Sequence, residues 1–331
     1  MKTGIVIANI GSPDAPTTAA VKKYLAEFLS DKRVVRLPRI LWWPILHGYI
    51  LRTRPAQTAQ LYKKIWTERG SPQSSIMQDL AKRLEESLQS KLAQIVYVKV
   101  GMRYGQPSVK KALEELQALQ VDRILIFPLF PQYSTTTTLS IRDAVLDTVK
   151  NWVNSPLIEM THDYARDNEY IAAIAQSIRD YWQQTMKRFL LFSFHGIPQS
   201  YVNAGDTYGE NCYATAILIA NALELKPSEW GLAFQSRLGA TKWLKPYTDK
   251  VLEEMPQQGI KHVNVVCPGF PVDCLETLEE IAIRGREQFL KAGGEGLTYI
   301  PALNAGDSQV AALSGIIYRN FSSAADTEST L

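Results

Sequence analysis

Arg188-Phe189-Leu190-Leu191-Phe192-Ser193-Phe194-His195-Gly196-Ile197-Pro198 reads as a buried parallel strand that runs straight into a loop. A continuous apolar run broken by Gly and Pro is the pattern of such a strand. In open α/β sheets, ligands bind outside the carboxyl ends of the strands. His195 therefore stands where chemistry happens, with an imidazole that exchanges protons near neutral pH. A second strand end, Val263-Asn264-Val265-Val266-Cys267-Pro268-Gly269-Phe270-Pro271, leads into Asp273-Cys274-Leu275-Glu276-Thr277-Leu278-Glu279-Glu280-Ile281. A base and a cluster of carboxylates, both at strand ends, form a constellation suited to protons and metal ions.

On either side of these strands the pattern alternates. Strands are expected at 4–9, 95–101, 123–128, 189–194, 231–235, 263–267 and 297–300, with helices such as 74–91, 107–119, 168–184, 209–224 and 274–291 between them. Strands alternating with helices predict parallel sheets wrapped by helices. The halves also resemble each other. Ile124 to Pro131 aligns with Asn264 to Pro271, each placing Pro-x-Phe-Pro after a strand. Ile7 to Pro13 aligns with Phe192 to Pro198, and the strand before Arg103 with the strand before Gln235. These matches predict two similar α/β domains, joined near residues 152–165, with strand ends facing a shared cleft. On this alignment Ile10 is the counterpart of His195, so one side of the cleft is apolar and the other basic.

A chain of 331 residues is long enough for a large core and two domains. Its net charge of +3 is too small to argue for nucleic acid. Cys212, Cys267 and Cys274 form no close pair, which fits reduced thiols in a reducing compartment and leaves too few thiolates for a four-cysteine iron–sulfur cluster. The apolar run Gly4 to Ala8 is of strand length, so no export signal is expected. Ile40 to Leu51 is the nearest approach to a spanning segment, but it is short and is interrupted by Pro44, His47 and Gly48. The small polar residues from Phe321 to Leu331 are expected to be disordered.

Each candidate has a plainer role beside the chemical one. A loop histidine often only hydrogen-bonds backbone; the strand-end position of His195 favours chemistry. At ~100° per residue, Asp273, Glu276 and Glu280 fall on one stripe of a helix, with Leu275, Leu278, Ala282 and Phe289 opposite. That stripe is either a solvated face, with Asp273 and Glu276 as an N-terminal cap, or a set of acids aimed into the cleft. Trp42-Trp43-Pro44, flanked by Arg36, Arg39, Arg52 and Arg54, is either a buried helix or an apolar lip for a membrane face or a flat ligand, with Trp42, Trp43, Ile45 and Leu46 expected at the mouth of the cleft or its outer rim. The hydroxyl-rich loop Tyr133 to Thr138 either caps the next helix or meets a carboxylate. There is no GxGxxG, Walker loop, HExxH or CxxC, which disfavours dinucleotide chemistry and a structural or hydrolytic zinc site.

Taken together, Leu191 to Pro198, Phe234-Gln235-Ser236-Arg237, Trp243-Leu244-Lys245-Pro246 and Asp273 to Ile281 resemble the ferrochelatase (protohaem ferro-lyase) family of bacterial type. So do Asn9-Ile10-Gly11-Ser12-Pro13, Gly70-Ser71-Pro72, Met102-Arg103-Tyr104 and Pro131-Gln132-Tyr133-Ser134, in order from residue 5 to about 304. The resemblance implies a chelatase-like α/β fold of two similar Rossmann-like domains with parallel sheets around a cleft. The first would span 1–155 and carry the lip at 36–66; the second would span 156–331 with the histidine and the acidic helix.

It also implies insertion of ferrous iron into protoporphyrin IX to give protohaem. His195 and Glu276 are then the catalytic pair. His195, Asp273, Glu276 and Glu280 are the expected metal set. Ile10, Arg52, Arg54, Tyr62, Ser71, Arg103, Tyr104, Ser134 and Trp243 are the expected substrate contacts. Ferrous iron is a substrate, no permanent cofactor or iron–sulfur cluster is expected, and no nucleic acid. A membrane-surface contact through 40–51 is expected, with a cytoplasmic location on the inner face of the cell membrane. The rivals are a cobalt chelatase or a coproporphyrin-using relative, and a tetrapyrrole carrier without catalysis. The Trp-rich lip and the lack of paired histidines favour iron and protoporphyrin, and a base beside an acid stripe is more than a carrier needs.

Overall fold

The computed structural model describes residues 2–239 and 241–328, with side chains given to Phe321. Among the described residues eight strands form two sheets: β1 (Lys2–Asn9), β2 (Ile95–Met102), β3 (Arg123–Pro128) and β4 (Leu157–Met160), then β5 (Phe189–His195), β6 (Trp230–Gln235), β7 (His262–Val266) and β8 (Gly296–Tyr299). The first sheet has the order β2-β1-β3-β4 and the second β6-β5-β7-β8. Every pairing is parallel. The second order repeats the first strand for strand, and the three sequence matches fall on equivalent strands. The expected parallel α/β architecture with an internal repeat is what the chain forms.

The central strands are mostly apolar because both faces are covered by helices. Ile5, Val6, Ile7 and Ala8 of β1 are fully buried, as are Leu190, Phe192 and Phe194 of β5. In the first sheet Val6 and Ala8 pack on Leu113 and Leu116 of the helix Val109–Ala118. In the second, Leu191, Val263 and Val265 pack on Leu252, Ile281 and Phe289. Burying one such side chain contributes about 1.5–3 kcal/mol.

The chain divides into two compact units, one of residues 1–130, 134–163 and 313–331, the other of 131–133 and 164–312. The tail expected to be disordered is helical as far as it is described: one helix spans Asp307–Glu328. Phe321 is buried, with the Arg123 guanidinium 4.3 Å from its ring centroid. Residues 329–331 lie outside the described residues.

The lip folds as a helix Arg39–Ile45, a π-helical turn Leu46–Ile50 and a helix Leu51–Ile65. Its four candidate rim residues split by face. Trp42 and Leu46 are buried with Leu29 and Leu51, and the Trp42 indole N–H donates to the Leu29 carbonyl at 2.7 Å. Trp43 and Ile45 are exposed, together with Leu37, Ile40, Leu41 and Tyr49. Trp42 and Leu46 are therefore anchors and not rim, which corrects that part of the expectation. Among the described residues, no helix is long and apolar enough to cross a membrane.

Candidate active site

In the second unit, three consecutive strand ends bring the polar residues together. His195 is the last residue of β5 and pairs in register with Gln235, the last of β6. Gly196 extends the ladder by one bond, donating to the Gln235 carbonyl at 2.8 Å. A Cβ on Gly196 would lie 2.9 Å from that oxygen and 3.2 Å from Trp243, so only glycine allows this approach. Leu244 N–H donates to the Ile197 carbonyl at 3.0 Å and Gln199 N–H to the Lys242 carbonyl at 2.9 Å. These bonds fasten the Trp243 segment to the loop after His195.

His195 is half-buried, with the Phe270 ring 6.5 Å away between centroids. Its Nδ1 lies 2.6 Å from the Gly196 carbonyl oxygen. A carbonyl only accepts, so Nδ1 carries the proton and Nε2 keeps its lone pair. The backbone thus selects the tautomer in which Nε2 takes up a proton or a cation.

Beyond β7 the acids do not follow one helical stripe. Asp273 precedes the helix, and Cys274 is the N-cap, paired with Thr277 in a capping box. A short helix Leu275–Thr277 then opens into a π-helical turn Leu278–Gly285. The expected Asp273–Glu276 cap is therefore replaced by Cys274 and Thr277. A wheel drawn at 100° per residue fails here because the turn is wider than an α-helix.

Asp273 is buried and fully engaged. Its Oδ1 accepts from Tyr299 Oη at 2.6 Å and Thr277 Oγ1 at 2.8 Å, and its Oδ2 accepts from Asn304 Nδ2 at 2.7 Å. Its own N–H donates to Asn304 Oδ1 at 2.8 Å. Glu276 is half-buried, and its backbone carbonyl accepts from Gln235 Nε2 at 2.7 Å. Glu280 accepts the Ser236 N–H at 2.8 Å on Oε1 and the Ser236 hydroxyl on Oε2. Burial pushes the Glu280 carboxyl above the usual carboxylate range; the Ser236 bond, the charge of Arg284 and that of His195 once it holds a second proton pull it back, and Glu276 adds to the rise. His195 and Glu276 thus both lie within electrostatic reach of Glu280. Among the described residues, no group of three or more His, Cys, Asp or Glu side chains stands ready to hold a metal.

Gln235 and Ser236 belong to a stretch that carries the family resemblance, but neither was assigned a role in the site from the sequence. Gln235 Oε1 accepts from Ser193 Oγ at 2.7 Å, and Ser193 Oγ lies 2.9 Å from Thr248 Oγ1. The Gln235 side chain thereby ties β5 to the acidic segment. The available signal was a polar pair closing an otherwise apolar strand. All three cysteines are buried free thiols, and burial pushes each above its usual range. They are inert to thiolate chemistry.

The first unit has its own network around Asp31, a residue not singled out from the sequence. Asp31 Oδ2 accepts from Arg103 Nη2 at 2.6 Å, Tyr104 Oη at 2.7 Å and Ser140 Oγ at 2.5 Å. Burial works to raise the Asp31 carboxyl. The hydrogen bonds from Ser140, the Arg33 backbone and Tyr104, with the Arg103 charge, outweigh it and hold the group below the ordinary range. Tyr104 is buried, and burial together with Asp31 raises its hydroxyl well above the ordinary value. Ile10 follows β1, half-buried, and its carbonyl accepts the Tyr104 N–H at 3.0 Å. Gly11, at φ +100°, turns the chain where a Cβ would strike the Tyr104 carbonyl at 1.9 Å. Arg52 and Arg54 are exposed; Tyr62, Ser71 and Ser134 are buried. Trp243 is half-buried, and its indole N–H donates to the Leu238 carbonyl at 2.9 Å.

The sequence model of the ferrochelatase family matches residues 2–321. A ferrochelatase of Methylococcus capsulatus is 50% identical over 96% of this chain and 96% of its own length. That of Nitrosococcus oceani is 49% identical over 96% of this chain and 86% of its own, and that of Aeromonas hydrophila 46% over 96% and 98%. Among solved structures, SirB from Bacillus subtilis with Fe3+ superposes with a TM-score of 0.57, covering 96% of this chain and 95% of that one at 13% identity. CbiX, the terminal enzyme for siroheme biosynthesis in denitrifying bacteria, gives 0.52 at 14% identity, covering 96% and 98%. At such identities these two structures speak for the fold alone.

Proposed function

The chain belongs to the ferrochelatase family, and we propose that the strand ends of its second unit carry out that family's reaction. The enzyme inserts ferrous iron into protoporphyrin IX and forms protohaem, the final step of haem synthesis. Iron and porphyrin are its substrates. Metallation releases two pyrrole protons and strips water from the incoming cation, so it needs a base, proton acceptors and a transient hold on the metal.

The observation that carries this reading is the tautomer of His195. With Nδ1–H committed to the Gly196 carbonyl, Nε2 is left as acceptor at a strand end whose register partner, Gln235, donates to the Glu276 carbonyl. His195 Nε2 takes a pyrrole proton. Glu280, held by Ser236, and Glu276, next along the segment, accept protons or guide the cation. Asp273 fixes the loop that carries them, since its oxygens are already occupied by Tyr299, Thr277 and Asn304.

Arg52 and Arg54 are assigned to the porphyrin carboxylates, since guanidinium groups pair well with them. Ile10, Arg103 and Trp243 are kept as macrocycle contacts on the strength of their strand-end positions. Tyr104 serves the Asp31 network that holds Arg103. The buried Tyr62, Ser71 and Ser134 are assigned to shaping the backbone around these groups.

The poorly soluble macrocycle favours loading from a lipid surface. Segment 40–51 suits this: Ile40, Leu41, Trp43, Ile45 and Tyr49 are exposed, and Trp42 and Leu46 root the segment in the unit. The proposed location is peripheral, on the cytoplasmic face of the cell membrane. Anaerobic incubation with ferrous iron and protoporphyrin IX tests the function. The free-base spectrum should give way to that of haem. Turnover only with cobalt, or only with coproporphyrin, would move the chain to another chelatase activity, and binding without turnover would make it a carrier.

A further inference from the structure

The turn that carries Glu280 contains a contact that only its π register permits. Glu279 is fully buried, and its Oε2 lies 3.2 Å from both Nε and Nη2 of Arg284, five residues later. In an α-helix, residues i and i+5 point about 140° apart around the axis. In a π-helix the backbone bonds close at i→i+5, which brings such residues to the same side of the turn. The next pair repeats the spacing. A Cβ on Gly285 would lie 3.1 Å from the Glu280 carbonyl oxygen and 3.3 Å from Leu252 Cδ1, so the backbone comes close there as well. Arg284 is half-exposed, and its aliphatic stem is not needed to fill the core. Rewinding the turn to α would part a buried carboxylate from this guanidinium and swing Glu280 away from Ser236.

We propose that the Glu279–Arg284 pair is a clamp that holds the turn in its wide register, and that both residues thereby position Glu280 for metallation. They are positioning residues and touch no substrate. The positioning claim rests on the reading of Glu280 given above, whereas the clamp itself does not.

Arg284→Met keeps the stem and removes the charge, and Arg284→Lys restores it. The clamp is read by amide hydrogen exchange across 278–285 in the full-length protein. Exchange there should quicken about tenfold or more in Arg284→Met, with Lys returning most of the protection and other segments unmoved. Positioning is read by kinetics. The kcat should fall about 10- to 100-fold in Arg284→Met with the porphyrin KM within about twofold, as misplacement of a reacting group does, and Lys should recover it. Unchanged exchange in Arg284→Met overturns the clamp, whether or not the wild type makes haem. Quickened exchange with wild-type kcat overturns the positioning role. Glu279→Gln, which removes the other charge, should repeat the pattern, and failure to do so overturns the pairing.

Discussion

Replacing Asp273 by Asn separates a carboxylate that holds a loop from one that binds iron. Three side-chain donors converge on it, Tyr299 at 2.6 Å, Asn304 at 2.7 Å and Thr277 at 2.8 Å, beside a longer bond from the Ala302 N–H at 3.5 Å. A hydrogen bond to a charged group contributes about 1.5–3 kcal/mol, against about 0.5–1.5 for a neutral pair. Neutralising the acceptor removes roughly 1 kcal/mol at each of the two Oδ1 contacts. At Oδ2 the change also sets one amide NH2 against another. Asn304 cannot turn to relieve it, because its Oδ1 already accepts the Asp273 N–H. A buried unpaired donor costs about 1–3 kcal/mol. The sum is about 4 kcal/mol. For a domain of ~150–250 residues, each kcal/mol moves the melting temperature by ~2–4 °C. Asp273→Asn should therefore melt about 8–16 °C lower, and activity assayed well below that midpoint should persist in proportion to the folded fraction. A variant that melts within about 2 °C of the wild type yet makes no haem would refute the reasoning and return Asp273 to the metal.

Other expectations follow the same geometry. Asp31 has a lowered carboxyl, so its contribution to stability is full above the ordinary value of about 3.9 and is lost as the pH falls through the lowered one. Asp31→Asn should be less stable than wild type in urea at pH 7, and the gap should close below about pH 4; a gap that widens there contradicts the assignment. Ile40→Ser with Trp43→Ser should weaken binding to anionic vesicles and leave the melting temperature nearly unchanged, because both side chains are exposed. Undiminished vesicle binding would remove the lip from the account. Glu276→Gln keeps shape and should lower kcat while changing stability by under about 0.5 kcal/mol; full activity would take Glu276 out of the proton path.

The parallel strands were legible because most are apolar runs, several closed by Gly or Pro, and their repeat exposed the doubled architecture. The strand Leu157–Met160 was not, since it is a half-exposed edge of four residues with Glu159 in its middle. His195 could be placed from its strand end alone. The acidic residues could not, because a wheel presumes one helix type and the chain widens at Leu278. The same difficulty mixed the lip's anchors with its exposed face: Pro44 and the turn Leu46–Ile50 alter the periodicity between Trp43 and Leu51. Asp31 gave no local signal, for Arg103 and Ser140 lie 72 and 109 residues away in sequence. Polar networks built from distant segments leave little periodicity to read.

The role of His195 is the centre of the account, and one variant tests it most directly. In His195→Ala, porphyrin binding followed by fluorescence quenching should remain near wild type, and the melting temperature should move little because the ring is half-exposed. Anaerobic metallation with ferrous iron should fall by about 10²–10⁴-fold, the usual contribution of a general base. Haem formation in that variant at close to the wild-type rate would contradict the assignment of His195 as the base.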